Sequence, residues 1–316
     1  MRICAIDRIG PPDQLRIMSA PTPSPAAGEV LIRVAAAAVN PADLGMREGR
    51  YRWAEPVRFP LVPGYDVAGT VEAVGAGVTK PAVGTQVIAN TAHSTTQVGA
   101  YADLVALPAR YVVAAPAGMD AVHAATLPLA GLTALQAVAE LDLRPGQTLL
   151  VNGPLGAVGW FAVELAVHRG VRVLAPAHPW DADQARLLGV AEVLDRGADL
   201  VAQVRTTLPD GADAALDVVG GRAARATLAA VRDGGRYATV VPEFWVPGGP
   251  FTPERGIAPA TVRFRPAPDE LALVARLAGD GVLTTRVALT LRLAEAAEAH
   301  KRLAAGGVRG KIVLVP

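Results

Sequence analysis

Cysteine is almost absent from this chain, since Cys4 is the only one among 316 residues. A single cysteine excludes a disulfide within the chain and a structural zinc site built from cysteines. The five histidines show no metal-ligand spacing either. No uninterrupted apolar run approaches ~20 residues, so we expect no transmembrane helix and no membrane partner. Because Arg2 and Asp7 place charge close to the N-terminus, no signal-peptide core is predicted, and we expect a cytoplasmic protein.

An excess of charge of either sign is missing too. The chain has 30 Lys and Arg residues against 29 Asp and Glu residues, which gives a net charge of +1. Such a chain has no bulk field that would recruit nucleic acid, and we expect no nucleic-acid partner. Hydrophobic residues make up 51% of the sequence. Its length is typical of about two domains with a sizeable core.

What the chain does have is a glycine-spaced turn near its centre. Residues 148–151 predict an apolar strand, Gly153, Gly156 and Gly159 follow, and residues 160–168 carry helical apolar spacing. A dinucleotide-binding fold needs this order, because the turn lets the backbone and the N–H groups of a helix N-terminus approach a pyrophosphate. A tight turn without a ligand has the same spacing, so both interpretations stay open here. The candidate cofactor-binding residues of the turn are Asn152, Gly153, Leu155, Gly156, Ala157, Val158 and Gly159.

The secondary-structure pattern changes near residue 120. Residues 1–115 carry short β-branched runs separated by Pro and Gly turns, which is typical of a small barrel or sandwich. Strands and helices then alternate as far as residue 241, which predicts a parallel sheet with crossover helices. In the tail, the pattern predicts a strand at 261–264, helices at 268–277 and 294–304, and a last strand at 311–315. We therefore predict an α/β part beside a β-rich part.

A series of short motifs runs through the chain besides the glycine turn. They are Val39-Asn-Pro-Ala-Asp43, Pro63-Gly-Tyr-Asp-Val-Ala-Gly69, Val71-Glu-Ala-Val-Gly-Ala-Gly-Val78, Gly99-Ala-Tyr-Ala-Asp103, Leu127-Pro-Leu-Ala-Gly-Leu-Thr-Ala134, Leu188-Gly-Val-Ala-Glu-Val-Leu-Asp195, Asp217-Val-Val-Gly-Gly221 and Val308-Arg-Gly-Lys-Ile-Val313. In this order they resemble the medium-chain dehydrogenase/reductase superfamily, and within it the zinc-free quinone oxidoreductase branch. The resemblance covers essentially the whole chain.

The resemblance implies a Rossmann-type parallel-sheet domain inserted into a β-rich, barrel-like (GroES-like) catalytic domain. We accordingly expect a catalytic domain at 1–118, a Rossmann dinucleotide-binding domain at 119–258, and a C-terminal segment at 259–316 that completes the catalytic domain. In this family a strand near the position of Val262 often pairs across a dimer. The resemblance therefore also implies a homodimer.

The departures from the zinc-dependent relatives concern the chemistry. Those relatives carry a cysteine at the place of Asn40 and a histidine at the place of Tyr65, so the resemblance implies that a catalytic metal is absent. Alcohol oxidation needs a Lewis acid to form an alkoxide. Hydride transfer to a quinone or an activated C=C depends less on such assistance from the protein, because the nicotinamide performs the chemistry. Asn40 can donate its amide N–H to the acceptor oxygen, and Tyr51 or Tyr65 can donate a hydrogen bond or a proton. Alternatively, Asn40 is a turn residue before Pro41, and the tyrosines only line the cleft.

The type of cofactor depends on the end of the second Rossmann strand. NAD-binding folds place an acid there, whereas residues 173–180 contain none before Asp181. His178 can donate to a 2′-phosphate and Trp180 can stack on adenine, although no firm cation is evident, and His178 can equally be an ordinary loop residue. NADPH is favoured over NADH by elimination. By resemblance Thr133 touches the nicotinamide end, or its hydroxyl is satisfied within its own helix. Val219 and Val241 complete the candidate cofactor residues.

Two functional hypotheses follow. The first is a metal-free, NADPH-dependent reductase that acts on a small hydrophobic quinone or α,β-unsaturated carbonyl. The second is a member of the fold that has lost redox chemistry and catalyses a non-redox step, such as cyclisation or elimination, or only binds a hydrophobic intermediate. The missing cation for the 2′-phosphate and Pro154, which offers no N–H in the turn, motivate the second hypothesis.

Overall fold

The computed structural model describes residues 1–50, 56–242, 249 and 251–316. The strands are β1 (Arg2–Ala5), β2 (Arg16–Ser19), β3 (Glu29–Val39), β4 (Asp66–Val74), β5 (Gln86–Asn90), β6 (Leu104–Pro108), β7 (Val112–Ala114), β8 (Thr148–Asn152), β9 (Arg172–Ala177), β10 (Glu192–Asp195), β11 (Ala212–Asp217), β12 (Val231–Thr239), β13 (Ala260–Thr261), β14 (Val287–Arg292) and β15 (Lys311–Val315). The α-helices are α1 (Pro41–Arg47), α2 (His93–Thr96), α3 (Ala121–Ala124), α4 (Pro128–Glu140), α5 (Ala157–His168), α6 (Ala182–Leu187), α7 (Leu200–Thr207), α8 (Gly221–Ala229), α9 (Pro268–Gly279) and α10 (Ala296–Ala305).

The chain forms two compact units. The first unit comprises Met1–Leu129 with Arg265–Pro316, and the second comprises Ala130–Phe264. The sequence predicted divisions after residues 118 and 258 instead. The first division lies later because α3 packs against β3, β4 and β14 and therefore belongs to the first unit.

The first unit is built on a seven-stranded sheet in the order β14-β15-β3-β4-β5-β7, and β6 also pairs with β3. Its core contains the inward-facing aliphatic residues of β3, β4 and β15, such as Ile32, Val67 and Leu314. The C-terminal strand β15 runs antiparallel to β3, with Ile312 opposite Val39. The sequence analysis did not predict β14, although its residues alternate between half-buried and exposed as a strand with one covered face does.

The second unit contains a six-stranded parallel sheet in the order β10-β9-β8-β11-β12-β13. Numbered from β8, this is the strand order of a Rossmann dinucleotide-binding fold. Its core includes Leu150, Leu174 and Leu216, which are fully buried. The predicted fold class is confirmed: a Rossmann-type sheet is inserted in sequence between the two parts of a β-rich unit. Within the described residues, no helix combines the length and the apolar character needed to cross a membrane.

Candidate active site and cofactor-binding turn

The glycine turn joins β8 to α5 as predicted. Gly153 has a φ of +90°, and a Cβ there would lie 2.5 Å from Cγ2 of Val219. A Cβ on Gly159 would lie 2.0 Å from the Gly153 carbonyl oxygen, so this glycine lets α5 pack against the turn. At Gly156 the nearest atom to an added Cβ is 3.6 Å away. The outer two glycines therefore serve the fold, whereas the middle one leaves space beside the N-terminus of α5, where a phosphate binds in such folds.

Asn152 holds two strand ends together. Its Nδ2 donates to Oδ1 of Asp217 at 2.8 Å, and its carbonyl accepts from the N–H of Val218. The Asp217 carboxylate also accepts from the N–H groups of Val219 and Gly220 at 3.1 Å. Asn152 therefore shapes the carboxyl ends of β8 and β11, the edge at which ligands bind in parallel α/β sheets. Its predicted contact with a cofactor stays a prediction.

A cation that the sequence analysis missed follows β10 and lies beside the end of β9. Asp195 pairs with Ala177 in the parallel register of β10 and β9, which sets the next residues, Arg196 and His178, side by side. Nη1 of Arg196 lies 3.2 Å from Nε2 of His178. Because a guanidinium only donates, Nε2 accepts and the imidazole proton is on Nδ1. The His178 ring stacks on Trp180, with ring centroids 4.4 Å apart and planes 11° from parallel.

The other predicted cofactor residues of the second unit differ in exposure. Thr133 and Leu155 are 8% exposed and Val241 is 5% exposed, whereas Val219 is 48% exposed. The N–H of Val241 donates to the Thr239 hydroxyl at 3.1 Å. Ala157 and Val158 form the first turn of α5, where backbone N–H groups have no partner within the helix. The part of the turn that is open to a ligand is thus the Gly156–Val158 backbone.

In the first unit, Asn40 is the N-cap of α1, and Pro41 occupies the first helical position, which suits a residue without an N–H. Asn40 is 3% exposed. Its Nδ2 donates to the Ala38 carbonyl at 3.2 Å and to Oδ2 of Asp66 at 2.9 Å, and its Oδ1 accepts from the Lys311 ammonium. Both amide hydrogens are engaged, so the predicted donation to a substrate oxygen would require Asn40 to give up one of these bonds.

Asp66 and Lys311 form a buried ion pair beside Asn40. Nζ of Lys311 lies 3.2 Å from Oδ2 of Asp66, and the two side chains are 5% and 0% exposed. Oδ1 of Asp66 accepts from the N–H of Leu129 at 2.7 Å. Burial raises the pKa of Asp66, whereas the Lys311 charge and the Asn40 amide lower it. Since Ile312 lies opposite Val39, the pairing of β15 with β3 is what carries Lys311 to Asn40.

Asp43 links the backbone of the two segments that carry predicted catalytic residues. Its Oδ1 accepts from the N–H groups of Gly64 and Tyr65 at 3.1 Å, and its Oδ2 accepts from the N–H of Asn40 at 2.8 Å. Asp43 is therefore a hydrogen-bond acceptor that positions both segments. Burial raises its pKa to about 7; the Asn40 N–H opposes this shift and the Asp66 charge reinforces it.

A second buried chain of hydrogen bonds leads to Asp43. Nε of Arg47 donates to Nδ1 of His300 at 3.2 Å, so the His300 proton is on Nε2 and faces the Tyr101 hydroxyl at 3.2 Å. The Tyr101 hydroxyl lies 3.5 Å from Oδ2 of Asp43. Burial lowers the pKa of His300 to about 3, with the Arg47 charge adding to the effect, so this histidine is neutral.

Of the two predicted tyrosines, only Tyr65 can be placed. It is 5% exposed and its ring centroid lies 5.7 Å from that of His93. Tyr51 lies outside the described residues. The structure thus brings Asn40 and the backbone of Tyr65 together through Asp43.

The polar groups around Asn40 do not fit a metal site. The Asn40 oxygen and the Asp66 carboxylate already face a cation of the chain, the Lys311 ammonium. In the described part of the chain, no group of three or more His, Cys, Asp or Glu side chains is arranged to hold a metal ion.

Comparisons with known proteins match this architecture. Two family models align, an alcohol dehydrogenase GroES-like domain over residues 26–117 and a zinc-binding dehydrogenase over residues 188–314. The quinone oxidoreductase of Pseudomonas aeruginosa is 31% identical over an alignment of 326 residues, gaps included, that covers 97% of each chain. The chloroplastic NADPH-dependent alkenal/one oxidoreductase of Arabidopsis thaliana is 31% identical over 71% of this chain, which spans 58% of the length of that relative.

Solved structures agree in fold and differ in cofactor. An NAD-dependent alcohol dehydrogenase superposes over the whole of both chains with a TM-score of 0.88 and 28% identity. A mycobacterial protein complexed with NADPH superposes, also over both whole chains, with a TM-score of 0.84 and 30% identity. The near-complete match to the Pseudomonas protein, together with the two domain matches and the Rossmann strand order, leads to one conclusion: the chain belongs to the medium-chain dehydrogenase/reductase superfamily of oxidoreductases, in its quinone oxidoreductase branch.

Proposed function

We propose that this protein is a metal-free, NADPH-dependent reductase that transfers a hydride to a quinone or an α,β-unsaturated carbonyl. The observation that carries the proposal is the position of Arg196, whose guanidinium lies 3.2 Å from His178 at the carboxyl ends of β9 and β10. In dinucleotide-binding folds this edge meets the adenosine ribose, and an arginine there accommodates the 2′-phosphate of NADP. Arg196 supplies the cation whose absence weakened the sequence-based argument for NADPH.

The electrostatics at this edge favour a phosphate over a hydroxyl. A guanidinium presents a planar fork of donors that matches a phosphate group. The nearest acid in sequence, Asp195, is engaged, because its Oδ1 accepts from the N–H of Gly197 at 2.8 Å. The stacked rings of His178 and Trp180 offer an apolar face beside the guanidinium, and Trp180 is 74% exposed. An adenine ring can stack on these rings while the 2′-phosphate of the adjoining ribose contacts Arg196.

The residues of the glycine turn fit the rest of such a cofactor. A Cβ at Gly156 would make only an ordinary contact, 3.6 Å from the Gly153 carbonyl oxygen, and the N–H groups of Ala157 and Val158 in the first turn of α5 can meet a pyrophosphate. Pro154 removes one donor from the turn but leaves these N–H groups unaffected. When bound, a reduced nicotinamide supplies the hydride.

The remaining task falls to the first unit, which must orient the acceptor and stabilise the negative charge that develops on its oxygen. Lys311 brings a positive charge to the buried cluster, and Asp43 holds the segments of Asn40 and Tyr65 in place. Tyr65 and Tyr51 stay the predicted proton donors. Replacing either by Phe is expected to lower kcat if its hydroxyl donates the proton. Relatives named for quinone and alkenal/one substrates support this substrate class.

Calorimetric titration with NADPH and with NADH tests the cofactor part. We expect NADPH to bind more tightly, and Arg196→Ala to raise the Kd for NADPH about 10- to 100-fold, because a charge-assisted hydrogen bond contributes roughly 1.5–3 kcal/mol. The Kd for NADH should not change. Arg205→Ala, at an exposed arginine in the last turn of α7, is the matched control and should change neither constant.

Three results would contradict the proposal. Equal affinity of the wild-type protein for NADH and NADPH would remove the role of Arg196. Binding of neither would favour the redox-inactive alternative, and so would a failure to oxidise NADPH with any member of a panel of quinones and enones. If neither nucleotide binds, cyclisation or elimination of a bound intermediate is the activity to assay.

We also propose a homodimer, as the resemblance to the family implies. The short strand β13 is the last strand at one edge of the described six-stranded sheet, and an edge strand can pair with a second copy. Light scattering coupled to gel filtration measures the oligomeric state. A monomeric mass would contradict this part of the proposal.

A further inference from the structure

We propose that Asn90 donates the hydrogen bond that stabilises the carbonyl oxygen of the substrate. This inference rests on the proposed reductase function and adds a residue to its site. Among the residues in the cluster around Asp66, Asn90 is the one whose amide donor is not already engaged within the described part of the chain.

Asn90 is the last residue of β5 and is 2% exposed. Its Oδ1 accepts from the N–H of Ala92 at 2.9 Å. This bond determines the orientation of the amide, because the opposite orientation would set the NH₂ group against another donor. Nδ2 is then the remaining atom, and it is buried without a hydrogen-bond partner among the described residues. A buried donor in this state destabilises the folded protein, which points to an acceptor supplied by a ligand.

The strand register sets Asn90 beside the charged cluster. Asn90 is directly opposite Asp66 in the antiparallel pairing of β4 and β5. Residues opposite each other in such a ladder project from the same face, with Cβ atoms about 4.5–5.5 Å apart. The next residue, Thr91, donates its N–H to the Tyr65 carbonyl at 2.8 Å. Asn90 therefore shares a face with Asp66 and adjoins the segment of Tyr65.

The neighbouring amide cannot perform the same task without cost. Asn40 uses both of its amide hydrogens, on the Ala38 carbonyl and on Asp66. The Lys311 ammonium holds the Asn40 oxygen and thereby the orientation of that amide. The predicted function of Asn40 as a donor to the substrate is thus better assigned to Asn90, and Asn40 becomes a positioning residue.

In the chemical step Asn90 donates a hydrogen bond and transfers no proton. With an α,β-unsaturated carbonyl, the hydride of NADPH adds to the β-carbon, and the electron pair of the C=C bond moves toward the carbonyl oxygen. The resulting enolate takes a proton at the α-carbon from the predicted tyrosine donor, which regains a proton from water, and NADP⁺ is released. With a quinone, the hydride and a proton together give the hydroquinone. In both cases negative charge grows on an oxygen, and a neutral N–H donor aimed at it lowers the barrier.

The test compares Asn90→Ser with Gln86→Ser. Serine keeps an oxygen that can accept from the N–H of Ala92, and it loses the amide donor. Gln86 lies on the same strand, is exposed, and loses an amide in the same way, so its variant is the matched control. Three quantities are measured: the Kd for NADPH, kcat with a quinone and an enone, and the Kd for 1,4-naphthoquinone from quenching of tryptophan fluorescence without NADPH.

For Asn90→Ser we expect kcat to fall about 100-fold, which is typical of the loss of one donor to a developing oxyanion. The Kd for naphthoquinone should rise up to roughly 10-fold, because the uncharged complex loses one ordinary hydrogen bond. The Kd for NADPH should not change, and the Tm should stay close to that of the wild type, since Nδ2 of Asn90 makes no hydrogen bond among the described residues that the variant would lose. Gln86→Ser should match the wild type in all of these measurements.

The outcomes separate this inference from the proposed function. If the wild-type protein reduces an acceptor and Asn90→Ser keeps kcat and the naphthoquinone Kd within twofold, the inference is overturned and the reductase function stands. If the wild-type protein reduces nothing but binds naphthoquinone, and Asn90→Ser weakens that binding, the inference stands and the reductase function fails. Absence of binding and turnover in the wild-type protein overturns both. Should the serine variant fail to fold, Asn90→Thr, which suits a strand, replaces it.

Discussion

The two units each carry one basic residue at a proposed site, but in opposite environments. In the first unit, the side chains of Lys311 and Asp66 are 5% and 0% exposed. In the second, Arg196 is exposed and meets His178 near the surface. A buried charge depends on its partner, because leaving either one alone in a low-dielectric interior is expensive. An exposed cation has water as an alternative partner. The buried cluster therefore couples the site to folding, whereas the exposed pair can change cofactor preference at little cost to stability.

The largest expected effect is on the buried pair. Replacing Lys311 by Met leaves the Asp66 carboxylate buried without its cation, and we expect the free energy of unfolding to fall by about 3–5 kcal/mol. Urea denaturation measures it. Lys301→Met is the control, because Lys301 lies on α10 of the same C-terminal segment and pairs with Asp13 at the surface. A much smaller loss is expected there. Equal losses in the two variants would contradict the comparison.

A double variant sharpens this prediction. If the loss comes from an uncompensated charge, then Lys311→Met combined with Asp66→Asn should be more stable than Lys311→Met alone. Asparagine keeps an oxygen for the N–H of Leu129, which donates to Asp66 at 2.7 Å. A double variant as unstable as the sum of the single variants would indicate lost packing instead of an unpaired charge.

The next effect concerns pH and the buried His300. Burial lowers its pKa from 6.5 to about 3, so in acid the unfolded chain binds a proton that the folded protein does not. Stability that depends on the neutral ring is therefore present above pH ~6.5 and lost as the pH falls toward the folded pKa. His300 alone should lower the free energy of unfolding by about 2 kcal/mol between pH 7 and pH 5.

His300→Gln tests this contribution, because glutamine can accept from Arg47 and donate to Tyr101 as the neutral imidazole does. The wild-type protein should lose more stability on acidification than this variant. Three other buried groups act in both proteins and cancel in the comparison. They are His93, whose pKa burial lowers to about 4, and Asp43 and Asp66, whose pKa values burial raises, which has the opposite sign. Parallel pH profiles of the two proteins would show that His300 contributes nothing.

The smallest expected effect on stability belongs to the exposed arginine. Arg196→Ala should change the free energy of unfolding by no more than about 0.5 kcal/mol, because surface substitutions rarely do more. The same variant should weaken NADPH binding. Thermal denaturation without nucleotide, beside the calorimetric titration, gives both values from one preparation. A loss of stability comparable to that of Lys311→Met would mean that the two sites do not differ as their burial indicates.

Much of the fold was predictable because it depends on local pattern. The glycine turn, the alternation of strands and helices between residues 148 and 241, and the last strand at 311–315 all appear where periodicity and turn chemistry indicated them. The strand β14 and the division at Leu129 were not predicted. The alternation of Val287, Leu289 and Leu291 was a usable signal for β14. The division depends on which strands α3 packs against, and local pattern carries no such information.

The candidate sites show the same difference between local pattern and tertiary contacts. From sequence, Asn40 was a candidate donor to the substrate or a turn residue, and the 2′-phosphate position had no firm cation. In the folded protein Asn40 is saturated by Asp66 and Lys311, and Arg196 reaches His178. One signal for Lys311 was present: a lysine at the start of an otherwise apolar terminal strand needs a buried partner. The signal for Arg196 was its position in the chain. Arg196 directly follows β10, His178 directly follows β9, and these two strands are parallel neighbours.

The fold class, the glycine turn and the absence of an acid at the end of the second Rossmann strand were predictable from the residues alone, because these depend on residue type and short-range spacing. Which polar groups meet depends on how the strands pair in the folded protein. Lys311 is 271 residues from Asn40 and contacts it, and Asn90 stands opposite Asp66. Strand register creates these contacts. Register is set by the packing of whole sheets, which the residues of one segment do not encode alone.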